Sequence, residues 1–473
     1  MIPKRIRPSF LASFLAPVIL FSAFHLARAA GEDENAQQAP LAGAPSAAFD
    51  IGSQIRFKVD KYKLPNGLTV LLQEDHSAPI ISYQTWFRVG SKNEEPGFTG
   101  IAHLFEHMMF KGAKRYSGEQ FDEMLQSNGA TNNAFTTQDY TGYYEDLPSA
   151  KLELVMDIES DRMESLKVTA ENLKSEREVV KEERRFRVDN NPMGILREAI
   201  FGTAFRVHPY RWPVIGYMTD IDNITLEKAQ DFFKTYYAPN NAVLVIAGDF
   251  DPNEAKKLVT KYYGSIKAHD IPNKPRPEEP AQTAERTQFI SRDVQNTQFA
   301  IVYHTPKAAT PESYAFDLLA NILGNGNSSR LHQRLVYKDQ IALGVGADNL
   351  TLQEAGLFQV FVTLKPEVKF PKAQKAVFGE MWRPRNLLVS DSELQKAKNQ
   401  LMKGYVDGLK TVHGKASALA LNETLFGDYE RLFSDLARYN AVKAEDIRKV
   451  AHRYLAPEQS TVVVLRPKKA GDK

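Results

Sequence analysis

The chain has 473 residues, 43% of them hydrophobic and 25% charged, with a formal net charge of +2. That composition suits a globular protein of two or more domains, and the balanced charge argues against nucleic acid as the main partner. There is no cysteine, which excludes disulfides and a lipid-modified N-terminal cysteine.

Residues 1–30 read as a secretory signal peptide. Lys4, Arg5 and Arg7 precede the apolar run FLASFLAPVILFSAF, and Ala27-Arg28-Ala29 offers a small-residue cleavage site. A permanent anchor is the second reading, but the run is interrupted by Pro17 and is shorter than the roughly 20 residues a spanning helix needs. No later stretch is long and apolar enough to span, so no stable membrane span is expected. Cleavage removes Lys4, Arg5, Arg7 and Arg28 with no acid, taking the net charge from +2 to −2. The Ala/Pro/Gly-rich residues 31–50 read as a flexible lead-in, and the bacterial periplasm as the destination.

A first domain is expected over 51–268. Pro65-Asn66-Gly67 between alternating apolar runs predicts a hairpin, followed by a strand through Trp86. GIAHLFEHMMFKG then reads as helix, NNAFTTQDYTGYYEDLP as β-rich, TAENLKSEREVVKEERRFRVDN as a long charged helix and NAVLVIAGDF as a buried strand. A Pro-rich linker, 269–286, leads to a second domain over 287–473.

The second half repeats the first. Helix, Tyr, Ala-Pro, polar pair and buried strand recur, with Tyr236 matching Tyr454 and Pro239 matching Pro457 at an offset of 218. SYQTWFRVGS likewise matches NTQFAIVYHT. The expected fold is α+β: two tandem homologous domains, each a mainly antiparallel sheet packed with helices.

HLFEH carries the chemistry. On a helix His103 and His107 are i and i+4, so their imidazoles share a face, with Glu106 beside them among Leu104, Phe105, Met108 and Met109. Three polar groups on an apolar helix must be satisfied, and a metal ion satisfies all three; the bland alternative is a pair of core histidines bonded to Glu106. Hydrolytic zinc takes three protein ligands and a water, so a third ligand is needed, and a carboxylate is expected in that place. The residues leave Glu176, Glu178, Glu182 and Glu183 open for that role, and at least two of them belong to a solvated face. The second half carries PESYAFDLLANIL at the corresponding place, without ligands.

GIAHLFEHMMFKG, NGATNNAFTTQDYTGYY, EREVVKEE, HPYRWPVIG and YYAPNNAVLVIAGD together resemble the M16 (pitrilysin-type, inverted-zincin) metallopeptidases, in the short two-domain subfamily related to mitochondrial processing peptidase. The resemblance covers most of residues 55–467. It implies one Zn²⁺ per chain on His103, His107 and Glu183, Glu106 as general base, and Glu176 holding a histidine in place. It also implies that extended peptide adds to the edge of the strand carrying Asn133 and Ala134.

One part of the family pattern is missing. Self-sufficient relatives carry an Arg and, seven residues on, a Tyr that contact substrate; here LVYKDQIALGV places Val336 and Leu343 there, with Tyr337 one position off. The resemblance therefore implies a homologous partner subunit that supplies the Arg/Tyr pair. The alternative is a non-catalytic peptide-binding or assembly subunit of such a complex. LGNGNSSRL lacks the Lys-Ser/Thr of a nucleotide loop, and His208 in HPYRWP reads as structural.

Overall fold

The computed structural model describes residues 56–468; the expected signal peptide and the lead-in lie outside them. The first half runs β1 (Asp60–Lys63), β2 (Thr69–Glu74), β3 (Ile80–Phe87), α1 (Ile101–Met108), α2 (Gly118–Ser127), β4 (Thr131–Thr136), β5 (Thr141–Pro148), α3 (Leu152–Ser165), α4 (Ala170–Arg184), α5 (Pro192–Ala204), α6 (Met218–Asn223), α7 (Leu226–Tyr236), β6 (Ala242–Gly248) and α8 (Pro252–Tyr263). The second runs β7 (Arg286–Arg292), β8 (Gln298–Thr305), α9 (Pro311–Gly324), β9 (Ala342–Leu350), β10 (Gly356–Leu364), α10 (Phe370–Asn386), α11 (Asp391–Gly408), α12 (Val412–Phe426), α13 (Arg431–Ala441), α14 (Ala444–Tyr454) and β11 (Thr461–Pro467). None of these helices is long and apolar enough to cross a membrane.

The strands form two sheets, ordered β1-β2-β6-β3-β5-β4 and β7-β11-β8-β10-β9. Without β1 the orders coincide, and the senses agree: β2–β6 and β7–β11 are parallel and every other pair is antiparallel. Helices α7 and α14, which lead into β6 and β11, are 218 residues apart at both ends. The repeat legible in the sequence is therefore a repeat of topology. The Pro65-Asn66-Gly67 hairpin joins β1 to β2, with Gly67 at φ +92°, and a Cβ there would lie 2.6 Å from that of Asn240.

Strands β2, β3 and β6 are buried almost throughout, which requires cover on both faces of the first sheet. On one face Val70, Leu72, Ile81 and Tyr83 pack under Leu104, Phe105 and Met108 of α1 and Val155 of α3. On the other, Leu71, Trp86, Val243 and Val245 meet Ala416, Leu419 and Ala420 of α12, a helix of the second half. The exchange is reciprocal. Leu196 and Ile200 of α5, from the first half, pack on Ala300, Val302, Val463 and Leu465 of the second sheet. Each half lends a helix to the other's core.

The Pro-rich segment 269–286 is pinned to both halves. Arg276 donates to the Lys92 carbonyl (3.2 Å) and to Glu354 (2.7 Å), and Glu279 accepts from the backbone N–H groups of Arg206, Val207 and His208. Beneath it Asp139 accepts from Lys92 (2.8 Å), Tyr210 (2.6 Å) and the Gln353 N–H (2.9 Å). His208 is buried and bonds Glu354 at 3.0 Å, a structural histidine as its Pro-aromatic surroundings suggest.

Candidate metal centre

The helix carrying HLFEH starts at a demanding corner. Gly100 caps α1 at φ +91°, and a Cβ there would lie 2.6 Å from the Ile215 carbonyl oxygen. With no side chain to cap the helix from Gly100, the buried Glu94 does it from outside, accepting from the N–H groups of Gly100 (3.0 Å) and Ala102 (2.9 Å). Leu104, Phe105 and Met108 anchor the helix in the core, which fixes the facing of His103 and His107.

Helix α4 begins at Thr169, whose hydroxyl accepts from the Asn172 N–H. Leu173, Glu176 and Val180 are its buried stripe, and Glu183 continues that stripe one turn on. Glu178 and Glu182 are exposed, paired with Lys181 and Arg185. After Arg184 the helix widens into a π turn over Arg185–Asp189.

The two helices bring the expected residues together. One ligand atom from each of His103, His107 and Glu183 lies within 4.8 Å of the others. Glu183 Oε2 is 3.1 Å from His107 Nε2 and 3.7 Å from His103 Nε2, and Glu106 Oε2 is 4.0 Å from His103 Nε2. Glu176 Oε2 stands 3.6 Å from His107 Nδ1, on the far side of that ring, while its other oxygen takes Lys111 at 2.7 Å. Two contacts escaped sequence reasoning: Lys111 to Glu176, and Arg187 Nε to Glu183 Oε1 at 3.0 Å. Both bases sit four residues past a site residue, a spacing that could have flagged them.

Burial opposes charge on His103 and lowers its pKa against the pull of Glu106 and Glu183. Burial opposes charge on His107 too, but Glu176 and Glu183 outweigh it and lift the pKa to about 9. Burial would raise Glu183, yet His107, His103 and Arg187 hold it at about 2; Glu176 is likewise lowered, by His107 and Lys111 against burial. Two imidazoles and an ionised carboxylate are a donor set that suits a divalent metal. Glu106 Oε2 and His103 Nδ1 are buried without a hydrogen-bond partner among the described residues. An orphaned buried carboxylate oxygen beside three converging donors fits a hydrolytic metal site.

Asn133 and Ala134 lie on β4, which ends the first sheet, next to α1. The Ala134 side chain is buried, and its N–H is accepted by the Asn133 side chain at 2.8 Å. In the second half Val336 packs against the core, whereas Tyr337 and Leu343 are exposed.

Residues 69–217 match the family described as Insulinase (Peptidase family M16), and residues 223–401 match the one described as Peptidase M16 inactive domain. The chain is 32% identical over 419 residues to zinc protease PqqE of Helicobacter pylori, covering 87% of this chain and 93% of that one. The chain belongs to the M16 peptidase family. His103, Glu106, His107, Glu176 and Glu183 all fall within the first M16 match. A probable mitochondrial-processing peptidase subunit beta of Arabidopsis thaliana is 25% identical over 420 residues, covering 85% of this chain and 77% of that one. The crystal structure of a protease from Helicobacter pylori superposes with a TM-score of 0.83 at 31% identity, covering 87% of this chain and all of that one.

Proposed function

We propose that this M16 protein is a zinc-dependent endopeptidase of the bacterial periplasm that cleaves extended or unfolded peptides and acts with a homologous partner subunit. The observation that carries the reading is the convergence of His103, His107 and Glu183 beside a Glu106 oxygen that has no hydrogen-bond partner among the described residues. Residues 51–268 form the domain with the site, 269–286 the connector and 287–473 the domain without one.

His103, His107 and Glu183 would hold one Zn²⁺, which when bound polarises a peptide carbonyl and lowers the pKa of a water to about 7. Glu176, facing His107 Nδ1, keeps the proton there and leaves Nε2 as the donor atom. Glu106 takes the water's proton as general base and delivers it to the leaving amine nitrogen. Substrate lies along the free edge of β4, where its backbone replaces the Asn133 side chain at the Ala134 N–H; the small Ala134 keeps that edge open.

Val336 and Leu343 support the need for a partner, because neither can donate to a substrate carbonyl. They equally favour the second reading, a non-catalytic subunit. The two are separated by counting zinc and following cleavage of an unstructured peptide by wild type and Glu106→Gln, each with and without a homologous chain that lacks HxxEH. Zinc in both and cleavage by wild type plus partner supports the peptidase. Zinc without cleavage under any combination supports the non-catalytic subunit, and no zinc overturns both the site and the mechanism.

A further inference from the structure

The two sheets differ at one edge. In the first, β1 lies antiparallel on β2, with Lys63 opposite Thr69 and Asp60 opposite Leu72. In the second, β7 stands where β2 stands and ends the sheet. Thr69 lies beside Val243 of β6 and Arg286 beside Thr461 of β11, and Val243 and Thr461 are themselves equivalent positions of the repeat. Arg286–Phe289 therefore occupy the place against which β1 pairs in the first sheet.

Among the described residues the backbone there is open. The Arg286 N–H bonds the Ser460 carbonyl (3.0 Å) and the Lys468 N–H bonds the Arg292 carbonyl (2.9 Å). In a parallel ladder that phase turns residues 286, 288, 290 and 292 to β11 and the N–H and C=O of Thr287, Phe289 and Ser291 outward. The Ser291 carbonyl accepts from Arg292; the main chain of Thr287 and Phe289 finds no outward partner among the described residues. Thr287 is exposed and Phe289 is 53% exposed. An unblunted edge of this kind is a template for another strand.

The edge faces a groove of about 1220 Å³, walled by α5 and the π turn that follows α4. Both ends carry bases and acids, with Arg206 and Arg286 at one and Arg292 near the other. At one, Arg286 donates to the Thr203 carbonyl and burial together with the neighbouring Arg206 charge lowers its pKa. The acids there are engaged: Glu279 accepts three backbone N–H groups and stays 3.8 Å from Arg286, and Glu285 accepts from Thr287 and Ser460. At the other end lie Asp189 and Glu198, both on Arg184. A strand laid on β7 in the sense of β1 on β2 points its C-terminal end at Arg206 and Arg286 and its N-terminal end toward Asp189, at the foot of the helix that carries Glu183.

We propose that the free edge of β7 is a second strand-addition site, binding an extended peptide antiparallel with its terminal carboxylate at Arg206 and Arg286. The choice of occupant rests on the peptidase reading. The docking chemistry does not, because it uses only main-chain pairing and charge.

The test is fluorescence anisotropy on the Glu106→Gln protein, which binds without cutting, using a labelled unstructured decapeptide with a free C-terminal carboxylate and its C-terminal amide. The acid is expected to bind about tenfold more tightly than the amide. Thr287→Pro deletes an outward N–H and spares the β7–β11 ladder, and should weaken both peptides about tenfold or more. Arg206→Glu, at an exposed side chain, should abolish the preference for the acid while leaving the melting temperature unchanged; it keeps the proposal testable if Thr287→Pro does not fold. Binding unaffected by both variants overturns the proposal. So does a dimer, seen by light scattering, that Thr287→Pro converts to monomer with peptide affinity unchanged, since the edge would then join two copies of the chain. If wild type cleaves nothing, the peptidase reading fails while this binding assay still reports on β7.

Discussion

Arg187 Nε approaches Glu183 Oε1 to 3.0 Å from one helical turn further on, leaving Glu183 Oε2 to the two histidines. The pair has the i, i+4 spacing that brings side chains together on a helix face, and Arg187 itself lies in the π turn that follows Arg184. A carboxylate held at one oxygen loses less rotational freedom when the other is engaged. Arg187→Ala should therefore weaken zinc affinity by about tenfold, within the range for residues that orient metal ligands. Chelator competition on the purified protein measures it, with circular dichroism as the check that the fold is intact.

Gly100→Ala attacks the same site from the other helix. Alanine at φ +91° is strained, and its Cβ would lie 2.6 Å from a backbone oxygen that cannot swing aside. We expect a loss of roughly 2 kcal/mol or more in urea unfolding. Zinc content should fall as well, because α1 must shift and carry His103 and His107 with it. Full zinc occupancy at normal stability would show that the corner between α1 and Ile215 yields.

Much of this centre was legible in the sequence because its chemistry is local. His103, Glu106 and His107 declare themselves by helical spacing alone. Glu183 did not, since four carboxylates crowd one charged helix; what separates Glu176 and Glu183 from Glu178 and Glu182 is that Glu176 lies in the buried Leu173–Val180 stripe and Glu183, half-buried, follows it one turn on, a pattern hidden by the density of charge around it. The repeat was legible as an offset, and the sheets bear it out. The exchange of α5 and α12 was not, although unbroken apolar runs in β2 and β6 already called for cover on both faces. Nor did the prolines of 269–286 reveal that Arg276 and Glu279 would pin the segment, because their partners lie far away in sequence.

Asp139 ties the halves together. It receives Lys92, Tyr210 and the Gln353 N–H, and Lys92 is only 5% exposed. Asp139→Ala leaves that ammonium with Glu354 at 3.4 Å as its remaining carboxylate. A buried cation left wholly unpaired costs about 3–5 kcal/mol, and with Glu354 still at 3.4 Å the loss should be a part of that. Urea unfolding should register the loss, and limited proteolysis within 269–286 should speed up as the junction between the halves loosens.

Glu145 on β5 and Glu159 on α3 share one counter-charge. Arg162 Nη2 lies 3.1 Å from Glu145 and 2.7 Å from Glu159, and all three side chains are buried. The guanidinium stacks over Tyr143, Phe121 and Phe110, so water offers no relief. One arginine cannot balance two ionised carboxylates in that setting, and burial raises both pKa values, Glu145 well above its usual range. The folded chain thus keeps a proton that the unfolded chain has released above pH ~4.3. The contribution of this pair to stability is greatest below that value and falls as pH rises toward the folded pKa, by at most about 1.4 kcal/mol per pH unit for one proton. Glu145→Gln imitates the protonated form. Its melting temperature should match wild type near pH 5 and exceed it at pH 8. An equal decline with pH in both proteins would mean that the proton is held elsewhere.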